Sequence, residues 1–422
     1  MKADTLLYLL LGIVVLDYLI DQWLDWVNYK HAKSDLPDRL KGVYNEEEYR
    51  KQQEYQKTRT RFGFSTSAFA TLLSVMVLSL GGFGILDGFL RPLVANPILL
   101  SLCFFGALMV LSDLVNLPFQ WYSTFVIEER FGFNKTNLKT FVMDKLKGYL
   151  LGIIIGGALG YVLLWLIMEL GSSFWLYALG VVALFVLFAN LFYTSLILPL
   201  FNKLSPLEEG ALKSKIEAYA SKVNFPLDNI FVIDGSKRSS KANAFFSGLG
   251  KKKKVVLYDT LIEKQSEEEL VAVLAHEVGH FKKKHIITSL ILSLVQMCIT
   301  FYIMSLLIFN EHLSYALGGE ELAIHLNLIA FALLYTPISR LTGLFMNVLS
   351  RKNEFEADAY AATTYAAAPL QESLKKLSVS SLSNLKPHPW YVFVHYSHPP
   401  LLKRLEALDQ FVPNSVPQPE AQ

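Results

Sequence analysis

The sequence predicts a mostly α membrane protein: seven transmembrane helices with an α+β domain inserted on the cytosolic side. Three observations predict it. The chain of 422 residues is 52% hydrophobic and only 18% charged, with a mean hydropathy of +0.34, whereas soluble domains carry about a quarter charged residues. Seven apolar stretches, near 5–26, 66–90, 97–122, 148–169, 173–199, 286–309 and 326–350, each reach the ~20 residues that a helix needs to cross a bilayer. Lysine and arginine crowd into alternate loops, as the positive-inside rule requires. The composition excludes a disordered chain, a disulfide-stapled secreted module and a purely soluble enzyme. A net charge of +2 gives no reason to expect a nucleic-acid partner. Cys103 and Cys298, both within apolar runs, read as small membrane-buried hydrophobes.

The first stretch has only Lys2 before it and continues through Trp23 and Trp26. It lacks a small-residue cleavage site and reads as a retained anchor. Loop 30–64 carries nine basic residues and loop 125–147 five, while the segments near 91–96, 170–172 and 310–325 are almost bare. With seven spans this pattern puts the N-terminus outside and the C-terminus in the cytosol. The expected organisation is therefore 1–199 with five spans, a cytosolic insert at 200–285, two further spans at 286–350, cytosolic helices at 351–410 and a polar tail at 411–422. Asp17, Asp21, Asp87, Asp113, Asn116, Asn190 and Arg340 fall within the spans. Such groups either sit at headgroup level or mark an interior that holds water. Asp113 and Arg340, well inside their spans, favour the second reading.

The insert reads as a small mixed domain. Ser205-Pro206-Leu207-Glu208 has the pattern of a capping box with proline at the first helical position, predicting a helix over about 206–223. Strands are expected at 229–234, 243–246 and 255–258, the last two joined by a turn through Gly248, Gly250 and the lysines at 251–254. Ser266-Glu267-Glu268-Glu269 forms another capping box and opens a helix with apolar residues at helical spacing.

That helix carries His276-Glu277-Val278-Gly279-His280. Histidines four apart share one helical face, so both imidazoles can reach a single zinc ion, and Glu277 can reach a water on it. Glu277 would act as general base and then pass the proton to the leaving amine. A catalytic zinc takes three protein ligands and leaves one position open. Asn353-Glu354-Phe355-Glu356-Ala357-Asp358 offers the third, in a helix over about 354–368. Glu354 and Asp358 lie one turn apart on the same face, so Glu354 would ligate and Asp358 would hold a zinc histidine by its other ring nitrogen. Glu356 projects elsewhere and is not expected at the metal. Ser397-His398-Pro399-Pro400 starts another helix, and His398 is a candidate donor to the oxyanion of an attacked carbonyl. His388 and His395 are its rivals.

Together these motifs resemble the type I CAAX prenyl proteases, a family of seven-span integral-membrane zinc metalloproteases. The resemblance covers nearly the whole chain. It is carried by residues 275–280 and 354–358, by Ser397-His398-Pro399-Pro400-Leu401-Leu402 with Arg404, by Asn243-Ala244-Phe245, and by Glu129-Arg130-Phe131-Gly132-Phe133-Asn134. It implies seven helices around a water-filled chamber faced by a cytosolic zinc-metalloprotease domain. It implies one Zn2+ per chain, held by His276, His280 and Glu354, with Glu277 as base and His398 stabilising the transition state. Asn243, Ala244, Phe245 and Arg404 would lie along the substrate, which a sheet edge can hold extended through backbone hydrogen bonds. The same Asn243–Phe245 stretch also reads as an ordinary strand with a turn-favouring asparagine. The implied substrate is a peptide or protein, prenylated at a C-terminal Cys-aliphatic-aliphatic-X sequence that loses its last three residues. The implied location is the endoplasmic reticulum membrane of a eukaryote or the inner membrane of a prokaryote, where quality control of membrane proteins is the alternative role.

Two other readings fit the sequence less well. Intramembrane site-2-type proteases use the same histidine pair within an apolar span. Here three glutamates precede it and Lys282, Lys283 and Lys284 follow it, which places it at the membrane surface. A seven-span transporter has no use for a three-ligand zinc site beside a poised glutamate.

Overall fold

The computed structural model describes residues 2–31, 36–42, 44–247 and 253–412. The chain opens with α1 (Ala3–His31) and α2 (Glu46–Ser79), the latter started by a capping box between Asn45 and Glu48. The expected second span, 66–90, is not one helix: α2 supplies only its first part, to Ser79, and the chain breaks at Leu80 and Gly81. The polar first turns of α2 stay helical because Tyr49, Gln52 and Tyr55 are buried against the rest of the molecule. Gly81, at φ +63°, turns the chain into α3 (Gly82–Leu90), and Asn96 caps α4 (Pro97–Tyr122). There follow α5 (Leu138–Leu151), α6 (Gly157–Leu170), α7 (Phe174–Phe192) and the single turn α8 (Leu198–Phe201).

A four-stranded sheet is built from β1 (Leu204–Pro206), β2 (Leu227–Ile233), β3 (Ala244–Ser247) and β4 (Lys253–Tyr258), in the order β1-β2-β4-β3. β2 and β4 run parallel; β1 and β3 are antiparallel edges. Around it lie α9 (Ala211–Lys222), α10 (Asp259–Ile262) and α11 (Glu267–Lys282). The chain then re-enters long helices as α12 (His285–Leu307), α13 (Glu311–Ala316) and α14 (Ile324–Thr364), and ends with α15 (Ala367–Ser381), α16 (Pro389–His395) and α17 (Leu401–Asp409).

Among the described residues, six helical runs are long and apolar enough to cross a membrane. The fourth, Leu138–Phe201, contains two of the expected stretches and folds back at Gly171 (φ +54°), so that α6 packs along α7. Leu16, Trp23, Ile153, Leu184 and Leu341 are exposed along these helices, which is the surface expected of helices whose solvent is lipid. The polar groups within the spans are paired. Arg340 holds Asp17 at 2.6 Å and Asp21 at 2.9 Å, and Lys145 holds Asp113 at 2.7 Å. Beside Arg340 lies a cavity of about 600 Å3, also lined by Thr300, Tyr335, Asn347 and His395.

Polar contacts gather the loops into two groups. At one end Arg39 meets Asp409, Gln52 donates to the Ser383 carbonyl at 2.8 Å, and the Tyr55 hydroxyl and Lys241 both reach Glu128, at 2.6 and 2.8 Å. Arg238 forks onto Asp144 there at 2.7 and 2.8 Å. The 129–134 motif is part of this joint: Ser240 N donates to the Phe133 carbonyl, and Lys135 N to the Arg238 carbonyl. At the other end Arg91 pairs with Asp87 and Glu321, and His325 bridges Asp87 at 2.9 Å and Ser101 at 3.1 Å. Gly84 N donates to the Leu317 carbonyl at 2.9 Å there, and a Cβ on Gly84 would collide with Gly318.

Some expectations are corrected. No helix starts at Ser205. Leu204–Pro206 instead pairs with Phe231–Ile233, and the helix begins after Gly210. Strand pairing outweighs the local cap, and an edge strand tolerates the proline, which has no N–H to give. The 354–368 helix is not separate, because α14 runs unbroken from the seventh apolar stretch to Thr364. Phe411 and Val412, expected in the tail, pack against the core of the mixed domain. The turn through Gly248, Gly250 and Lys251, and the chain from 413 onward, lie outside the described residues.

Candidate metal centre

α11 is started by the Ser266–Glu269 capping box and is buried along most of its length, including Leu270, Leu274, Ala275 and Val278. His276 and His280 project from it one turn apart, their Nε2 atoms 3.2 Å from each other. α14 crosses α11 at Gly279, where a Cβ would lie 2.9 Å from the Ala357 Cα. Only glycine allows this approach, and the approach brings Glu354 to the histidines. Its carboxylate oxygens stand 3.5 Å from His276 Nε2 and 3.3 Å from His280 Nε2.

These three separations test whether the residues fit an ion. A tetrahedral zinc with bonds of about 2.0–2.1 Å spaces its ligands by about 3.3 Å. With one carboxylate oxygen of Glu354 facing each histidine, the separations match that spacing, and the Oε2 of Glu354 is buried with no hydrogen-bond partner. The donor set is the two-histidine, one-carboxylate set of catalytic zinc sites.

Behind the triangle, Asp358 accepts from His276 Nδ1 at 2.8 Å, the placement expected of it. Burial disfavours charge on His276, but its bonds to Asp358 and Glu354 outweigh this and hold its pKa up at about 9. Asp358 is gripped by Arg404 through Nε at 2.8 Å and a terminal nitrogen at 2.6 Å, and the same guanidinium reaches Glu354 at 3.4 Å. Arg404 was expected along the substrate. It does line the cavity, yet it is nine-tenths buried and its two carboxylate hydrogen bonds go to Asp358, behind the metal position.

In front lies a cavity of about 270 Å3 lined by Asn243, Ala244, His276, Glu277, Glu354 and His398, among others. His398 is largely exposed, with Nε2 3.3 Å from Glu354 and Nδ1 3.0 Å from the Ser397 hydroxyl. Its rivals are elsewhere: His388 caps α16 by accepting from Trp390 N, and His395 lines the cavity beside Asp21 and Arg340. Asn243 and Ala244 face the site from the start of the edge strand β3. Phe245 packs against Leu198, Ile233 and Val256, on the opposite face that strand alternation dictates.

Two side chains were missed. His285 lies 3.0 Å from His280, Nδ1 to Nδ1, and its Nε2 lies 3.1 Å from Glu356. No helical period links residue 285 to residue 280. The contact exists because Lys284, at φ +61°, turns the chain back between α11 and α12.

The profile of the CAAX prenyl protease N-terminal domain, with five membrane helices, matches residues 25–203, and that of peptidase family M48 matches 206–412. The CAAX prenyl protease 1 homolog of Oryza sativa subsp. japonica is 36% identical, over 94% of this chain and 95% of the relative. CAAX prenyl protease 1 of Saccharomyces cerevisiae is 34% identical over 94% of each. The crystal structure of S. mikatae Ste24p superposes with a TM-score of 0.91 at 32% identity, covering 96% of this chain and 99% of that one.

Proposed function

The chain belongs to peptidase family M48, as an integral-membrane metalloprotease of the CAAX prenyl protease type, and we propose that it uses one zinc ion to cut a C-terminal tripeptide from prenylated Cys-aliphatic-aliphatic-X substrates. The observation that carries this is the His276–His280–Glu354 triangle opening onto a cavity shared by Glu277, His398 and the start of a free sheet edge.

Zinc held by those three residues supplies a Lewis acid that brings a water's pKa toward neutrality. The remaining roles fall to side chains. Glu277 removes the water's proton and returns it to the leaving amine. His398 directs an N–H at the carbonyl oxygen as it gains charge. Residues 243–245, at the edge beyond β4, align the peptide as an added strand. Asp358 and Arg404 fix the ring of His276 so that Nε2 faces the metal. The basic loops and the active site lie on the cytosolic side, in the endoplasmic reticulum of a eukaryote or the inner membrane of a prokaryote. The polar cavity beside Arg340 belongs to a water-filled interior.

The test is mass spectrometry of products from a farnesylated CAAX peptide and its unprenylated twin. Release of the tripeptide from the first, with little from the second, is the expected result. Equal cleavage of both would favour a general membrane-protein protease, and cleavage of neither would end the reading.

A further inference from the structure

Each metal-facing histidine needs a partner for its other ring nitrogen, and the two partners here differ. His276 has Asp358 directly, at 2.8 Å. His280 has another imidazole, and behind that ring stands a carboxylate. His285 is buried, with Nδ1 3.0 Å from His280 Nδ1 and Nε2 3.1 Å from Glu356 Oε2.

Hydrogen-bond bookkeeping fixes the protons. A carboxylate only accepts, so His285 places its proton on Nε2, toward Glu356. Its Nδ1 is then an acceptor, and the facing Nδ1 of His280 must be the donor. That leaves the lone pair of His280 on Nε2, the atom that lies 3.2 Å from His276 Nε2 and 3.3 Å from Glu354. The reverse arrangement would turn a proton toward the ion. Three elements supply the chain of contacts: His280 from α11, His285 from the first turn of α12, and Glu356 from α14, on a different face from Glu354.

We propose that His285 and Glu356 act as a positioning pair that sets the tautomer and orientation of the metal ligand His280, a role nothing above assigns to either residue. The proposal rests on the metal-centre reading. It makes His280 a ligand oriented through a relay, whereas His276 is oriented by direct contact. Outer partners of ligating histidines are worth about 10–100-fold in metal affinity.

The experiment measures zinc affinity of the purified full-length protein by chelator competition, with the absorption spectrum of the cobalt-substituted form as a second readout. His285→Leu should weaken zinc binding by about 10–100-fold and shift the cobalt bands. Glu356→Leu should do nearly the same, while Glu356→Gln, whose amide oxygen still accepts, should recover most of the loss. The double variant His285→Leu/Glu356→Leu should be no worse than His285→Leu alone, since the two residues act as one unit. Glu356 is half-exposed, so its two variants carry the test even if His285→Leu does not fold. Wild-type affinity in Glu356→Leu, or losses that add in the double variant, would overturn the relay. Zinc absent from the wild type would instead overturn the metal centre, whereas zinc lost in His276→Leu but kept at wild-type affinity in His285→Leu and Glu356→Leu would overturn the relay alone.

Discussion

Glu277 is the one acid in the metal-site cavity that the triangle does not use. It borders the same space as His276, Glu354 and His398, the place a general base for a metal-bound water would occupy. Glu277→Gln keeps the shape and removes the proposed base. Turnover should fall about a hundred- to ten-thousand-fold with the metal content unchanged, checked by peptide cleavage alongside elemental analysis. Cleavage persisting at the wild-type rate would defeat the mechanism. The residues legible in the sequence are those whose logic is local. His276 and His280 share a face because four residues make about one helical turn, and Glu354 and Asp358 follow the same rule on α14. Arg404 and His285 were not legible in their roles. Arg404 meets Asp358 46 residues away along the chain, a pairing no spacing rule predicts. His285 depends on the handedness of a single residue, Lys284.

Among elements, the crossing of α11 over α14 decides whether His276, His280 and Glu354 meet at all. Gly279 faces Ala357, and a Cβ there would lie 2.9 Å from one backbone atom and 3.0 Å from another. Gly279→Val must push the helices apart, at a cost of about 1–3 kcal/mol for overpacking. Since Glu354 lies one turn from Ala357, the same displacement should weaken metal binding, read by thermal unfolding with and without chelator. A variant with unchanged melting and unchanged chelator sensitivity would show that the close approach is not needed. The long helices were legible because apolar runs of bilayer length admit few other structures. The start of the mixed domain was not. Ser205-Pro206-Leu207-Glu208 satisfies a local helix rule, but the segment gains more by pairing with Phe231–Ile233, a partner roughly 25 residues on. The smooth passage of α14 out of the seventh apolar stretch was equally hidden, although Ser350-Arg351-Lys352-Asn353 holds no glycine or proline to stop it.

For the whole molecule, the two ends differ in kind. The basic loops, the sheet domain and the C-terminal helices share one end, and the weakly charged turns around Asp87, Glu321 and His325 share the other. Cysteines introduced one at a time at Glu209 and Glu320, in a protein lacking Cys103 and Cys298, should label from opposite faces of a sealed membrane. Labelling of both from the same face would refute the orientation. Loop charge alone made this grouping readable. It could not reveal how the ends are tied, since Arg238 to Asp144 and Lys241 to Glu128 join segments that only the folded bundle brings together.

One rod connects those ends. α14 holds 41 residues, about 60 Å of helix, roughly twice the thickness of the hydrocarbon layer, and its far half carries Glu354. The helix runs on past Pro337 without a break, from the apolar stretch to Glu354. Glu354 meets its two histidines where this helix is packed tightly on α11 at Gly279, so a change in the tilt of α14 would load that crossing.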